Sequence, residues 1–93
     1  MIKQVKIASL AAKQLRKVPN HIVDKLLGWV LLVESEGIDA ARKVPGFHDE
    51  PLRGKRQGHR SIRLSRAYRA IYRVDDAGGL EIIIVEEVTK HEY

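Results

Sequence analysis

The chain has 93 residues, with 17 Lys+Arg against 12 Asp+Glu for a formal net charge of +5 at pH 7, 44% hydrophobic and 31% charged residues and no cysteine. This balance predicts one folded domain over residues 1–93 and excludes a disulfide framework, a thiol nucleophile and any Cys-ligated zinc or iron centre. The longest apolar stretch, residues 29–33, is too short to span a bilayer, and Met1-Ile2-Lys3-Gln4-Val5-Lys6 lacks the apolar core of a secretion signal, so a cytoplasmic protein without a membrane partner is expected.

Ile2, Val5 and Ile7 suggest a short first strand. Ser9 is a candidate cap for a helix running to about Lys17, with Leu10, Ala11, Leu15 and Val18 on one side. Pro19 ends that helix, and Asn20 suits the start of a second one over residues 21–36. Its broad apolar face comprises Ile22, Val23, Leu26, Leu27, Val30, Leu31 and Val33, and Gly37 is the expected stop. A short helical turn is possible over residues 38–43. Pro45, Gly46, Pro51, Gly54 and Gly58 then punctuate a loop over residues 45–58.

Beyond that loop the apolar period changes to two. Ile62 and Leu64 alternate with Ser61, Arg63 and Ser65; Tyr68, Ala70, Tyr72 and Val74 alternate with Arg69, Ile71 and Arg73. Asp75-Asp76-Ala77-Gly78-Gly79 reads as a hairpin, and residues 80–88, apolar on both faces, as an interior strand. The order β-α-α-β-β-β predicts an α+β fold, a small antiparallel sheet with two helices packed on one face. The other face stays open and carries the arginines of the second and third strands, provided the register is not slipped by one residue.

Charge is concentrated in the middle of the chain. Residues 42–73 hold Arg42, Lys43, Arg53, Lys55, Arg56, Arg60, Arg63, Arg66, Arg69 and Arg73 against only Asp49 and Glu50, net +8, whereas residues 74–93 are net −5. Either this is a solvated surface rich in arginine, or it meets a polyanion; the clustering favours the polyanion. Arg53, Lys55, Arg56, Arg60, Arg66 and Arg73 are candidate RNA-binding residues.

Some of these residues suit phosphodiester cleavage without metal or cofactor. Such chemistry needs a base near a hydroxyl, cations aimed at the phosphoryl oxygens and an acid for the leaving oxygen; RNA supplies its own nucleophile, the 2′-OH. Glu50, in the loop before the strands, is a candidate base or else a surface carboxylate pairing with Arg53. Arg63 and Arg69 present guanidinium forks from strands. His91 suits proton transfer near neutral pH, and Tyr93 suits stacking on a base; the alternative for both is an ordinary chain end. His21, His48 and His59 show no metal-ligand spacing and read as surface or cap residues.

In Glu50-Pro51-Leu52, Arg60-Ser61-Ile62-Arg63-Leu64, Tyr68-Arg69-Ala70-Ile71-Tyr72 and Lys90-His91-Glu92-Tyr93, taken in that order, the chain resembles the RelE/ParE superfamily of bacterial toxin–antitoxin toxins, nearest its YoeB-like mRNA interferases. The resemblance spans nearly the whole length. It implies a microbial-RNase-like fold and metal-independent cleavage of mRNA, often in the ribosomal A site. It implies Glu50 as general base, Arg69 and Arg63 as phosphate-stabilising cations, His91 as general acid, Arg53 at a loop phosphate contact and Tyr93 as the terminal tyrosine. Glu92 separates His91 from Tyr93, which are adjacent in the YoeB pattern. The resemblance further implies a cognate antitoxin that covers the basic face, with operator DNA bound only through that antitoxin. A ParE-like toxin that inhibits DNA gyrase, and a non-catalytic basic RNA-binding module, are the alternatives.

Overall fold

The computed structural model describes residues 2–90. In chain order it forms β1 (Val5–Ile7), α1 (Ser9–Leu15), α2 (Asn20–Glu36), α3 (Ile38–Arg42), β2 (Glu50–Pro51), β3 (His59–Arg63), β4 (Tyr68–Ala77) and β5 (Leu80–Lys90), with 3-10 turns at Pro45–Phe47 and Gly54–Arg56. The expected helices, the open sheet and the α+β class are all present. The short turn after Gly37 is a third helix, and the stretch 45–58, expected to be all loop, contributes the short edge strand β2, which makes five strands where four were expected.

The five strands lie in the order β1-β5-β4-β3-β2. The sheet is mixed and not wholly antiparallel as expected: four strands are antiparallel neighbours, while β1 runs parallel to β5, with Val5 beside Ile83 and Ile7 beside Val85. A parallel neighbour needs a long crossover, and the helices provide part of it. They pack on one face, where Ala11, Ile22, Leu26, Trp29 and Val33 meet Ile62, Ala70, Tyr72, Ile83, Val85 and Val88. Burying each large apolar side chain of α2 contributes about 1.5–3 kcal/mol, so packing rather than capping holds this helix. The caps differ from expectation for that reason: Ser9 and Asn20 are the first helical residues, Ala8 and Pro19 precede them, and neither end has a side-chain cap. Gly37 does end α2, with φ 90°.

Two local devices set the sheet's shape. The β4–β5 turn is confined to Gly78-Gly79, both with positive φ (65° and 87°), and Asp76 Oδ1 accepts the Gly79 N–H at 2.8 Å. Successive left-handed residues match the twist of a two-residue hairpin, so Asp75 and Asp76 remain in β4. The β4–β5 register shifts between Ile71 and Tyr72, and beyond the shift the Val88 N–H donates to Gln14 Oε1 at 2.7 Å. That bond ties α1 to the sheet and satisfies a backbone donor.

The alternation along β3 and β4 settles the faces. Ile62, Ala70 and Tyr72 point to the helices; Arg63, Arg69 and Arg73 point to the opposite face, as do Ile71 and Ile84, which are buried outside the main core. The arginine-bearing face is therefore the one that the helices leave open.

Candidate functional site

Glu50 and Asp49 are neighbours with opposite fates. Asp49 turns inward and its side chain is 0% exposed. Its Oδ1 accepts from Arg60 Nε at 2.6 Å and its Oδ2 accepts from the Tyr72 hydroxyl at 2.5 Å. Arg42 Nε donates to the same hydroxyl at 3.3 Å. A buried carboxylate is tolerated only when its acceptor oxygens are filled in this way. The network fixes the residue just before Glu50 and so anchors the start of β2. Glu50 faces outward and is 53% exposed. Its backbone pairs with Ser61 of β3, which places it on the open face, in the row next to Arg63 and Arg69.

Burial pushes the Tyr72 hydroxyl up to about 12, the Arg42 donor opposes that shift, and the Asp49 carboxylate adds to it. A phenol raised in the folded state stabilises the fold fully below its unfolded value near 10; this contribution is lost as pH climbs from there through about 12. Tyr72→Phe is expected to flatten the alkaline loss of stability, on the order of 2 kcal/mol over that window, in denaturant melts recorded from pH 9 to 12.

Arg63 and Arg69 are directly opposite across β3 and β4. The turn between the strands is shaped by Ser65, whose Oγ accepts the Ala67 and Tyr68 N–H groups at 3.1 Å each. It presents Arg66 beside them. His48, Glu50, Ser61, Arg63, Ser65, Arg66, Tyr68 and Arg69 line one shallow cleft of about 100 Å³, large enough for a phosphate group. Four residues singled out from sequence, Glu50, Arg63, Arg66 and Arg69, are thus brought together.

The other basic candidates are placed differently. Arg60 is held by Asp49 on the helix-facing side, Arg56 by Glu87, and Arg73 by both Glu86 and Asp75, the last at 2.9 Å. Arg53 and Lys55 are exposed in the loop between β2 and β3. His91 and Tyr93 lie outside the described residues. Among the described residues no three His, Asp or Glu side chains cluster as a metal site, and no helix is long and apolar enough to cross a membrane.

Sequence reasoning missed His48. It has φ 48° and ψ 50°, the left-handed region, and terminates the Pro45–Phe47 turn. Its Nε2 lies 4.0 Å from Glu50 Oε2. It also borders a second, wider groove with Arg42, Val44, Pro45, Asp49 and Glu50. A non-glycine residue in this region costs about 1–2 kcal/mol. The only signal in the sequence was a histidine two residues before a candidate base.

No protein-family profile and no curated protein matches the sequence. Solved structures do match the fold. YafQ from E. coli strain BL21(DE3) superposes with a TM-score of 0.73 at 14% identity, covering 95% of this chain and 92% of that one. The YoeB/ParE toxin from Agrobacterium tumefaciens gives 0.64 at 20% identity, covering 96% and 99%. The YoeB–YefM complex from Staphylococcus aureus gives 0.66 at 20% identity, covering 97% of each chain.

Proposed function

We propose, from the RelE/ParE-type toxin fold that the chain shares with these structures, that it is the toxin of a type II toxin–antitoxin pair and a metal-independent endoribonuclease acting on mRNA, on the ribosome. The observation that carries this reading is the cleft in which Glu50 meets Arg63, Arg66 and Arg69. Glu50 takes the proton of the 2′-OH. The 2′-oxygen attacks phosphorus, the bond to the 5′-oxygen breaks, and the products are a 2′,3′-cyclic phosphate and a 5′-OH. Arg69 and Arg63 stabilise the charge that develops on the phosphoryl oxygens. His91 protonates the leaving oxygen. In support, it follows Lys90, which pairs with Tyr68 at the cleft wall. Tyr93 orients the substrate. Arg53 and Lys55 extend the RNA track, whereas Arg56, Arg60 and Arg73, each facing a carboxylate, contribute less.

The partner is a cognate antitoxin that masks the basic face, and the complexes among the matched folds support this. Operator DNA is bound through the antitoxin, and the pair acts in the cytoplasm. Mapping of mRNA 5′ ends after induction tests the reading. New in-frame ends are expected with the natural protein and none with Glu50→Gln. DNA damage with intact mRNA would instead favour gyrase inhibition, and growth without arrest a non-catalytic RNA-binding module.

A further inference from the structure

We infer that Glu86 and Glu87 are specificity-determining residues: turned together onto the open face by a bulge, they hold Arg73 and Arg56 away from RNA and confine phosphate contacts to the cleft end of that face. The inference rests on the reading of this face as RNA-binding and deepens it by naming what bounds the contact.

The strand pairing defines the bulge. Ile71 pairs with Glu87 and Tyr72 with Val85, so Glu86 is the extra residue. In a regular strand, residues 86 and 87 would point to opposite faces. Here Val85 and Val88 both enter the core beneath the helices, and the two glutamates between them share the other face. Bulges re-aim side chains in this way. Each glutamate then meets an arginine: Glu86 Oε1 accepts from Arg73 Nε, and Glu87 Oε2 pairs with Arg56 Nη2. Arg73 is held a second time, by Asp75 at 2.9 Å. Glu87 is only 18% exposed. Ile71 and Ile84, the cross-strand partners of Glu87 and Arg73, are buried on a face that no helix covers, so the side chains around them lie down on the sheet.

An exposed ion pair is weak by itself; the local charge balance is what sets it against RNA. At this end of the face two guanidiniums meet three carboxylates, formally net −1. In the cleft Arg63, Arg66 and Arg69 meet Glu50, net +2. A phosphate entering the first group has to displace a carboxylate and then remain beside it. Arg69 and Arg73 are four residues apart on β4, roughly 14 Å, so the two ends of the face are separate phosphate positions.

The test is binding of a short single-stranded RNA methylated at every 2′-oxygen, which keeps the phosphates and removes the nucleophile. The log–log salt dependence of affinity counts phosphate contacts, at about 0.7 in slope for each on a single strand. Glu86→Gln with Glu87→Gln is expected to steepen the slope by about 1.4, and each single variant by about 0.7; the single variants decide the matter if the double one melts early. Adding Arg56→Gln and Arg73→Gln to the double variant should restore the natural slope. Glu34→Gln with Glu36→Gln, the same change of charge at exposed positions of α2, should leave it unaltered. An unaltered slope in the Glu86 and Glu87 variants, or equal steepening in the helix control, would overturn the inference. Slopes that separate as expected in a protein that cuts no mRNA would sink the nuclease reading and leave this one standing.

Discussion

Arg69→Ala is expected to lose about 10²–10³ in cleavage rate, the usual consequence of removing one preorganised charge donor, and to abolish toxicity while the protein stays folded. Arg69 lies on a ten-residue strand, opposite Arg63, with its side chain on the face the helices leave open. A strand holds a guanidinium more rigidly than a loop does, and its fork matches two phosphoryl oxygens at once. The Arg69 side chain lies outside the hydrophobic core, so deleting it should leave the melting temperature within a few degrees of its starting value. Arg69→Lys keeps the charge but not the fork and should fall between. The measurement is single-turnover cleavage beside a thermal melt. Full activity in Arg69→Ala would remove this residue from the site.

Asp49→Ala should do the reverse, damaging the fold before the chemistry. The substitution leaves the Arg60 guanidinium and the Tyr72 hydroxyl without their shared acceptor, in a pocket where the carboxylate was fully enclosed. Breaking such a pair costs about 3 kcal/mol, enough to lower the melting temperature of a domain this size by roughly ten degrees or more. Glu50→Gln, one residue along, removes an exposed carboxylate and should stay within about 0.5 kcal/mol of the natural protein. Adjacent acids thus separate stability from catalysis. Equal melting temperatures for the two variants would contradict the division of labour.

The periodicity of residues 60–74 made the sheet and its open basic face legible, because alternation assigns each side chain to a face. The resemblance pointed to Glu50, Arg63 and Arg69, and the structure unites them with Arg66. The split between Asp49 and Glu50 was not legible. Strand β2 has only two residues, too few to display a period, and the inward turn of Asp49 depends on Arg60 and Tyr72, 11 and 23 residues away. The left-handed backbone of His48 leaves no compositional trace either. The net +8 of residues 42–73 overstated the free charge of the face: Glu86 and Glu87, from the acidic end of the chain, lie on the neighbouring strand and take up Arg73 and Arg56. Charge counted along a sequence is not charge counted on a surface.

Ribosome-bound mRNA with a single 2′-deoxynucleotide on the 5′ side of the cut tests the account most directly. Attack by the 2′-OH requires that this one oxygen be present. The deoxy message should survive intact, while the unmodified message yields a 2′,3′-cyclic phosphate and a 5′-OH. Cleavage of the deoxy message at the same place would contradict a mechanism in which Glu50 activates the RNA's own hydroxyl.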